Sequence, residues 1–294
     1  MRRVICVQSV TSKFQLSLFG LVGKPDLNLI SPRRTSEIGK AMFKTILLAG
    51  LASIVLAMPV QAKEWKEIRI ASEGAYPPFN YMSPDGKLVG FDIDIANAVC
   101  EAMEAKCEIV ANDWDGMIPG LQANKFDAVI ASMAITPERE QQVAFSERYY
   151  TTPLAVVVPK DSEISSLEPS AFDGKTVGAQ AGTTQGNYAD DVYGKAGADV
   201  RLYPTADEAN ADLESGRLDA IAADKFLAAD WLNKQGADCC KFLGDIPGSE
   251  TKISVALRQG DDDLREQFNA AIKKIRDNGT YETIRKKYFD FDIY

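Results

Sequence analysis

From residue 66 onward, short runs of β-forming residues alternate with helical patterns, and this alternation limits the possible folds more than any other feature. Strands are predicted at 67–72, 107–111, 127–131, 154–158, 175–179, 199–203, 218–222 and 252–257. Helices are predicted at 92–104, 115–123, 185–193, 206–215, 224–235, 261–277 and 280–288. Such a chain builds α/β layers around mostly parallel sheets. One segment occurs twice. LQANKFDAVIAS (121–132) and LESGRLDAIAAD (213–224) share a leucine, a basic residue, Asp-Ala and a short buried strand at a constant offset of 92 residues. The repeat predicts two similar α/β lobes. It places Ser132 and Asp224 at equivalent points just past the carboxyl ends of their strands, where open α/β sheets bind ligands.

The chain contains no histidine. This removes the commonest general base and zinc ligand, and every Ser-His or Cys-His nucleophile pair. Residues 43–62, FKTILLAGLASIVLAMPVQA, have the charge, apolar run and small-residue end of a secretory signal. Met42 stands just before it, so residues 1–41 are read as a mis-called extension, 42–62 as the signal peptide and Lys63 as the mature start. Residues 1–62 hold eight of the 33 Lys/Arg and two of the 42 Asp/Glu, leaving 25 against 40 and a net charge of −15. An exported domain this acidic is a poor partner for nucleic acid. In an oxidising compartment Cys100 and Cys107, with six residues between them, are read as a disulfide. Cys239 and Cys240 are adjacent and are read as free or buried, because a bridge between neighbours is strained. Cys6 lies outside the mature chain.

Several segments carry candidate chemistry. EGAYPPFNY (73–81) sets Glu73 and Tyr76 just after a strand, and NDWDGMIPGL does the same for Trp114. An aromatic wall beside a carboxylate suits a cation, although core packing also accounts for the tryptophan. In SMAITPERE (132–140), Thr136 is expected to cap a short helix with Pro137 in its first turn. Arg139 there gains nothing from the helix dipole; it either grips a carboxylate or pairs with Glu138 or Glu140. AQAGTTQGNY (179–188) is a glycine-marked strand-to-helix turn whose N–H groups and Thr183 and Thr184 hydroxyls suit an anion. Asp224 can accept from an ammonium or cap the helix at 225. Thr205 and Glu208 form a capping-box pattern. Asp92-x-Asp94 begins like a calcium loop but lacks its glycine and final glutamate, so one of these aspartates is expected to cap the helix. Together these groups describe an amino acid, with a carboxylate at Arg139, an ammonium at Asp224 and a second cation or polar head at Glu73.

With GFDIDIANAVC, WDGMIPGL, ITPERE, VGAQAGTTQ, SGRLDAIAAD and DNGTYETIRKKYFDFDIY in order, residues 66–294 resemble the periplasmic amino-acid-binding proteins of ABC importers. The similarity is to the lysine/arginine/ornithine, histidine, arginine and opine receptor branch of solute-binding protein family 3. It implies a two-lobed type II fold with two crossing hinge strands, lobe 1 being 63–152 plus 250–294 and lobe 2 being 153–249. It implies a monomeric periplasmic receptor that closes on an amino acid or opine and delivers it to a permease–ATPase complex, with no cofactor and no metal. Residue by residue, the resemblance gives Arg139 the α-carboxylate and Asp224 the α-ammonium. Thr183, Thr184 and Gln185 form the carboxylate turn, with Gln180 beside it. Tyr76 and Trp114 flank the side chain, which Glu73 meets, and Ser132, Met133 and Ala134 complete the ligand set. Cys100 and Cys107 match a disulfide of the cationic branch. Ala134 stands where a hydroxyl or carboxylate often helps hold the α-ammonium, a substitution that suits a substituted α-nitrogen. The alternative is an enzyme on the same scaffold, similar to cyclohexadienyl dehydratases, with Glu73 as a general acid.

Overall fold

The computed structural model describes residues 65–294. The segments read as a signal peptide (42–62) and as an extension before it, and Cys6, lie outside these residues.

The chain enters through β1 (Glu67–Ser72), a small hairpin sheet of β2 (Ala75–Tyr76), β3 (Asn80–Met82) and β4 (Leu88–Val89), helix α1 (Phe91–Ala102) and β5 (Lys106–Ala111). Helix α2 (Met117–Gln122), strand β6 (Ala128–Val129), one-turn helix α3 (Pro137–Glu140) and the nine-residue β7 (Ala144–Thr152) follow. After Pro153 come β8 (Leu154–Pro159), β9 (Thr176–Gln180), α4 (Thr184–Tyr188), β10 (Asp199–Tyr203), α5 (Ala206–Glu214), β11 (Ala220–Asp224), α6 (Lys225–Leu232) and β12 (Cys240–Asp245). The chain ends with β13 (Thr251–Leu257), α7 (Asp262–Asp277) and α8 (Thr280–Tyr288).

Two five-stranded sheets result, ordered β5-β1-β6-β13-β7 and β10-β9-β11-β8-β12. Each has a second strand parallel to both its neighbours: β1 between β5 and β6, and β9 between β10 and β11. An antiparallel strand then pairs with β6 or β11. The topologies match position for position, and β6 and β11 are the strands of the sequence repeat. This is the two-lobed type II architecture. The chain crosses between sheets at Pro153 and again between β12 and β13. The crossings lie side by side: Thr251 pairs with Thr152, and the Leu154 N–H donates to Ser249 Oγ at 2.9 Å.

Local physics explains most element ends. Thr136 accepts from Arg139 N with Pro137 in the first turn, and Thr205 and Glu208 form a reciprocal capping box. Helix α7 buries Leu264, Phe268, Ala271, Ile272 and Ile275, one stripe at helical spacing, against the first lobe's core. The Cys100–Cys107 disulfide ties the end of α1 to β5.

Two expectations are corrected, and one strand is added. Neither Asp92 nor Asp94 caps α1; Gly90 is the cap residue, at φ 124°, and makes no side-chain cap bond. A Cβ on Gly90 would stand 2.3 Å from the Phe79 carbonyl oxygen, so the backbone approach itself demands glycine. Cys239 and Cys240 are bonded to each other, not free. Finally, β7 went unpredicted because its pattern is irregular. Its register against β13 skips Tyr149, so Tyr149 and Tyr150 are both buried where strict alternation would expose one of them.

Candidate ligand-binding site

A cavity lies where the carboxyl ends of strands from both sheets meet. Its walls include every residue of the expected ligand set except Met133. Met133 precedes Ala134 in an extended segment, so its side chain turns the other way, into the core with Met117 and Leu121. Ala131, Thr152, Thr251 and Ile253 also line the cavity. Thr152 and Thr251 belong to the crossing strands; no local motif marked them, since only the pairing of distant segments brings them here.

Among the described residues, three side-chain hydrogen bonds at the cavity cross from one lobe to the other. Gln180 Nε2 donates to Glu73 Oε1 at 2.7 Å, Gln185 Nε2 to Tyr76 Oη at 3.1 Å, and Arg139 Nη2 to the Gly182 carbonyl at 3.0 Å. Arg139 is 9% exposed, and its other terminal nitrogen donates to the Ala134 carbonyl at 2.8 Å. It makes no ion pair with Glu138 or Glu140; its guanidinium instead lies 5.2 Å from the centroid of the Trp114 ring. Burial brings its pKa down to about 10, with Tyr76 and Glu138 acting against that fall, so the group stays cationic at neutral pH.

The acidic groups lie around the same cavity. Asp224 is 4% exposed and caps α6, accepting from Phe226 N at 2.8 Å and Leu227 N at 3.1 Å. Burial raises its pKa to about 6 against the pull of these N–H groups and Thr152. Burial likewise lifts Glu73 to about 7; the Gln180 hydrogen bond opposes this, while Asp207, Asp113 and Asp115 add to it. A carboxylate held this way gains when a cation arrives, because the cation replaces lost hydration. Gln180 Oε1 is buried, with no hydrogen-bond partner among the described residues. Both Gln180 amide hydrogens are directed elsewhere, to Glu73 and to the Pro204 carbonyl, so this oxygen is a spare acceptor beside Glu73.

The turn from β9 into α4 is built by Thr183. Its hydroxyl donates to the Gln180 carbonyl at 2.6 Å and accepts from Gly186 N at 3.1 Å, starting α4. Gly182 sits at φ 66° with its backbone against the Trp114 ring. One lobe thus supplies Arg139 and the aromatic walls, and the other supplies the turn and Asp224.

Fold and cleft together define a two-lobed binding protein whose cavity holds buried groups of both charges. The sequence matches the model of the bacterial extracellular solute-binding proteins, family 3, over residues 68–291, and the chain belongs to that family. It is 41% identical over 259 residues to the L-arginine-binding protein of Pseudomonas aeruginosa, covering 86% of this chain and 99% of that one. It is 38% identical to the lysine/arginine/ornithine-binding periplasmic protein of Escherichia coli (87% and 98% covered) and 34% identical to the octopine-binding periplasmic protein of Rhizobium meliloti (85% and 98%). Among solved structures, an ancestral arginine-binding protein bound to arginine superposes with a TM-score of 0.72 at 37% identity, covering 76% of this chain and 98% of that one.

Proposed function

We propose that the protein is the periplasmic receptor of an ABC importer for a basic amino acid or an opine. In this reading, lobe 1 (63–152 and 250–294) and lobe 2 (153–249) close on the ligand, and the closed form docks on a membrane permease–ATPase complex. The observation that carries the reading is the convergence of buried Arg139, buried Asp224 and the Glu73–Gln180 pair on one cavity. The ligand α-carboxylate lies against Arg139 and the Thr183–Thr184 turn. The α-ammonium lies between Asp224 and Ser132. The side-chain cation lies between Tyr76 and Trp114 and donates to Glu73 and Gln180 Oε1. A guanidinium or ammonium has enough N–H groups to serve both acceptors. Ala134 adds no polar atom beside the α-nitrogen, which leaves room for the N-substituent of an opine. The names of the relatives, which include arginine-, lysine-, ornithine- and octopine-binding proteins, support this range. Titration calorimetry with arginine, lysine, ornithine, histidine, octopine and glutamine tests it; saturable binding of at least one basic compound is expected, and binding of none would refute it.

One observation favours a second reading. A carboxyl at about 7 has the poise of a general acid, and one structural neighbour is an ancestral amino-acid-binding protein described as a precursor of cyclohexadienyl dehydratase. Recovery of the bound ligand unchanged after prolonged incubation separates binding from turnover.

A further inference from the structure

Beneath the cavity floor lies a buried polar cluster that the binding account does not use. Asn80, Asp92 and Tyr149 each have 0% exposure. Asp92 Oδ2 accepts from Asn80 Nδ2 at 2.8 Å and from Ser132 Oγ at 2.9 Å, and its Oδ1 accepts from Tyr149 Oη at 2.9 Å. The chain of bonds continues at both ends. Asn80 Oδ1 accepts from the N–H of Gly74, the residue after Glu73, at 2.9 Å. Tyr149 Oη accepts from the Ser132 N–H at 3.2 Å. Ser132 sits at φ 55°, a backbone region that side-chain-bearing residues seldom adopt. Its N–H and its hydroxyl proton are both anchored in this cluster.

We propose that Asp92 is a positioning residue for the ligand site, orienting Ser132 toward the α-ammonium and fixing the backbone that carries Glu73. Hydrogen-bond direction decides what Ser132 can offer. Ser132 lines the cavity, and its single hydroxyl proton is committed to Asp92. To the cavity this oxygen can offer only an acceptor, which matches an ammonium and rejects a competing acceptor. Through Asn80 the same carboxylate fixes Gly74, so the α-ammonium and side-chain subsites share one buried anchor. Burial raises the Asp92 pKa to about 6, and the hydrogen bonds from Asn80, Tyr149 and Ser132 oppose that rise. The role in binding rests on the amino-acid reading above, whereas the positioning of the two segments does not.

Asp92→Asn preserves shape and replaces one acceptor oxygen by a donor. Amide hydrogen exchange of the whole protein, measured without ligand, is expected to accelerate about tenfold or more at Gly74 and Ser132 while the amides of β9 and β10 keep their rates. Unchanged rates at both positions, or uniform acceleration along the chain, would overturn the positioning role. Affinity for arginine and lysine supplies the second arm. Asp92→Asn and Ser132→Ala are each expected to weaken binding about tenfold, and the double variant no more than the weaker single. Losses that multiply would overturn the route through Ser132. Failure of the wild-type protein to bind any amino acid would overturn the proposed ligand class, leaving exchange to decide the positioning role. If Asp92→Asn does not fold, Tyr149→Phe replaces it: Ser132 exchange should quicken with Gly74 unchanged, and no change at Ser132 overturns the role.

Discussion

At the scale of single residues, charge placement decides what the cleft can hold. Arg139→Ala is expected to weaken every amino-acid ligand by about a hundredfold or more, since it removes a buried cation opposite a carboxylate; calorimetry alongside a melting curve checks that the fold survives. Glu73→Gln should weaken basic ligands roughly tenfold to a hundredfold and neutral ones far less, and an equal loss for both would make Glu73 a structural group. The pH dependence has a definite sign. Burial raises Glu73 to about 7 and Asp224 to about 6, so the ligand-free folded protein holds these protons more tightly than the unfolded chain. Their contribution to stability is greatest in acid and declines as pH rises from the ordinary carboxylate range toward 7. A bound cation reverses that preference. Affinity for arginine should therefore rise as pH goes from 5 to 7.5, with proton release on binding; calorimetry in two buffers of different ionisation enthalpy reads it, and a flat profile would contradict the assignment.

At the scale of elements, what was legible in the sequence was what neighbouring residues determine. The capping box at Thr205, the Thr136–Pro137 start and the paired strands of the repeat all depend on contacts within a few positions, and all are present. The arms of the cleft were legible too, because each motif sits at a strand end. Asp92 was not: its partners are 12, 40 and 57 residues away, and an aspartate opening a helix reads as a cap. Thr152 and Thr251 were missed for the same reason, as was β7, whose bulge hides its period. Two tests belong here. Thr205→Ala should cost about 1 kcal/mol of stability by denaturant titration without altering affinity. Gly186→Ala places a Cβ 2.4 Å from the Gln180 carbonyl oxygen; this oxygen also receives the Thr183 hydroxyl, so affinity and stability should fall together.

For the molecule as a whole, the central claim is that two lobes of matching topology close on a basic amino acid through contacts neither lobe makes alone. The bonds Gln180 to Glu73, Gln185 to Tyr76 and Arg139 to Gly182 join the two lobes, and in the proposed reading they are the closure contacts, each beginning or ending on a cavity-lining residue. Ligand identity and closure are therefore coupled, and a ligand that binds only the folded protein must raise its melting temperature. The most direct measurement is a thermal-shift screen of the purified protein, unfolded and refolded to strip carried ligand, against arginine, lysine, ornithine, histidine, octopine and glutamine. The account predicts a large upward shift with at least one basic amino acid or octopine and a smaller one with glutamine. No shift with any basic compound, or an equal shift with glutamine, would contradict it.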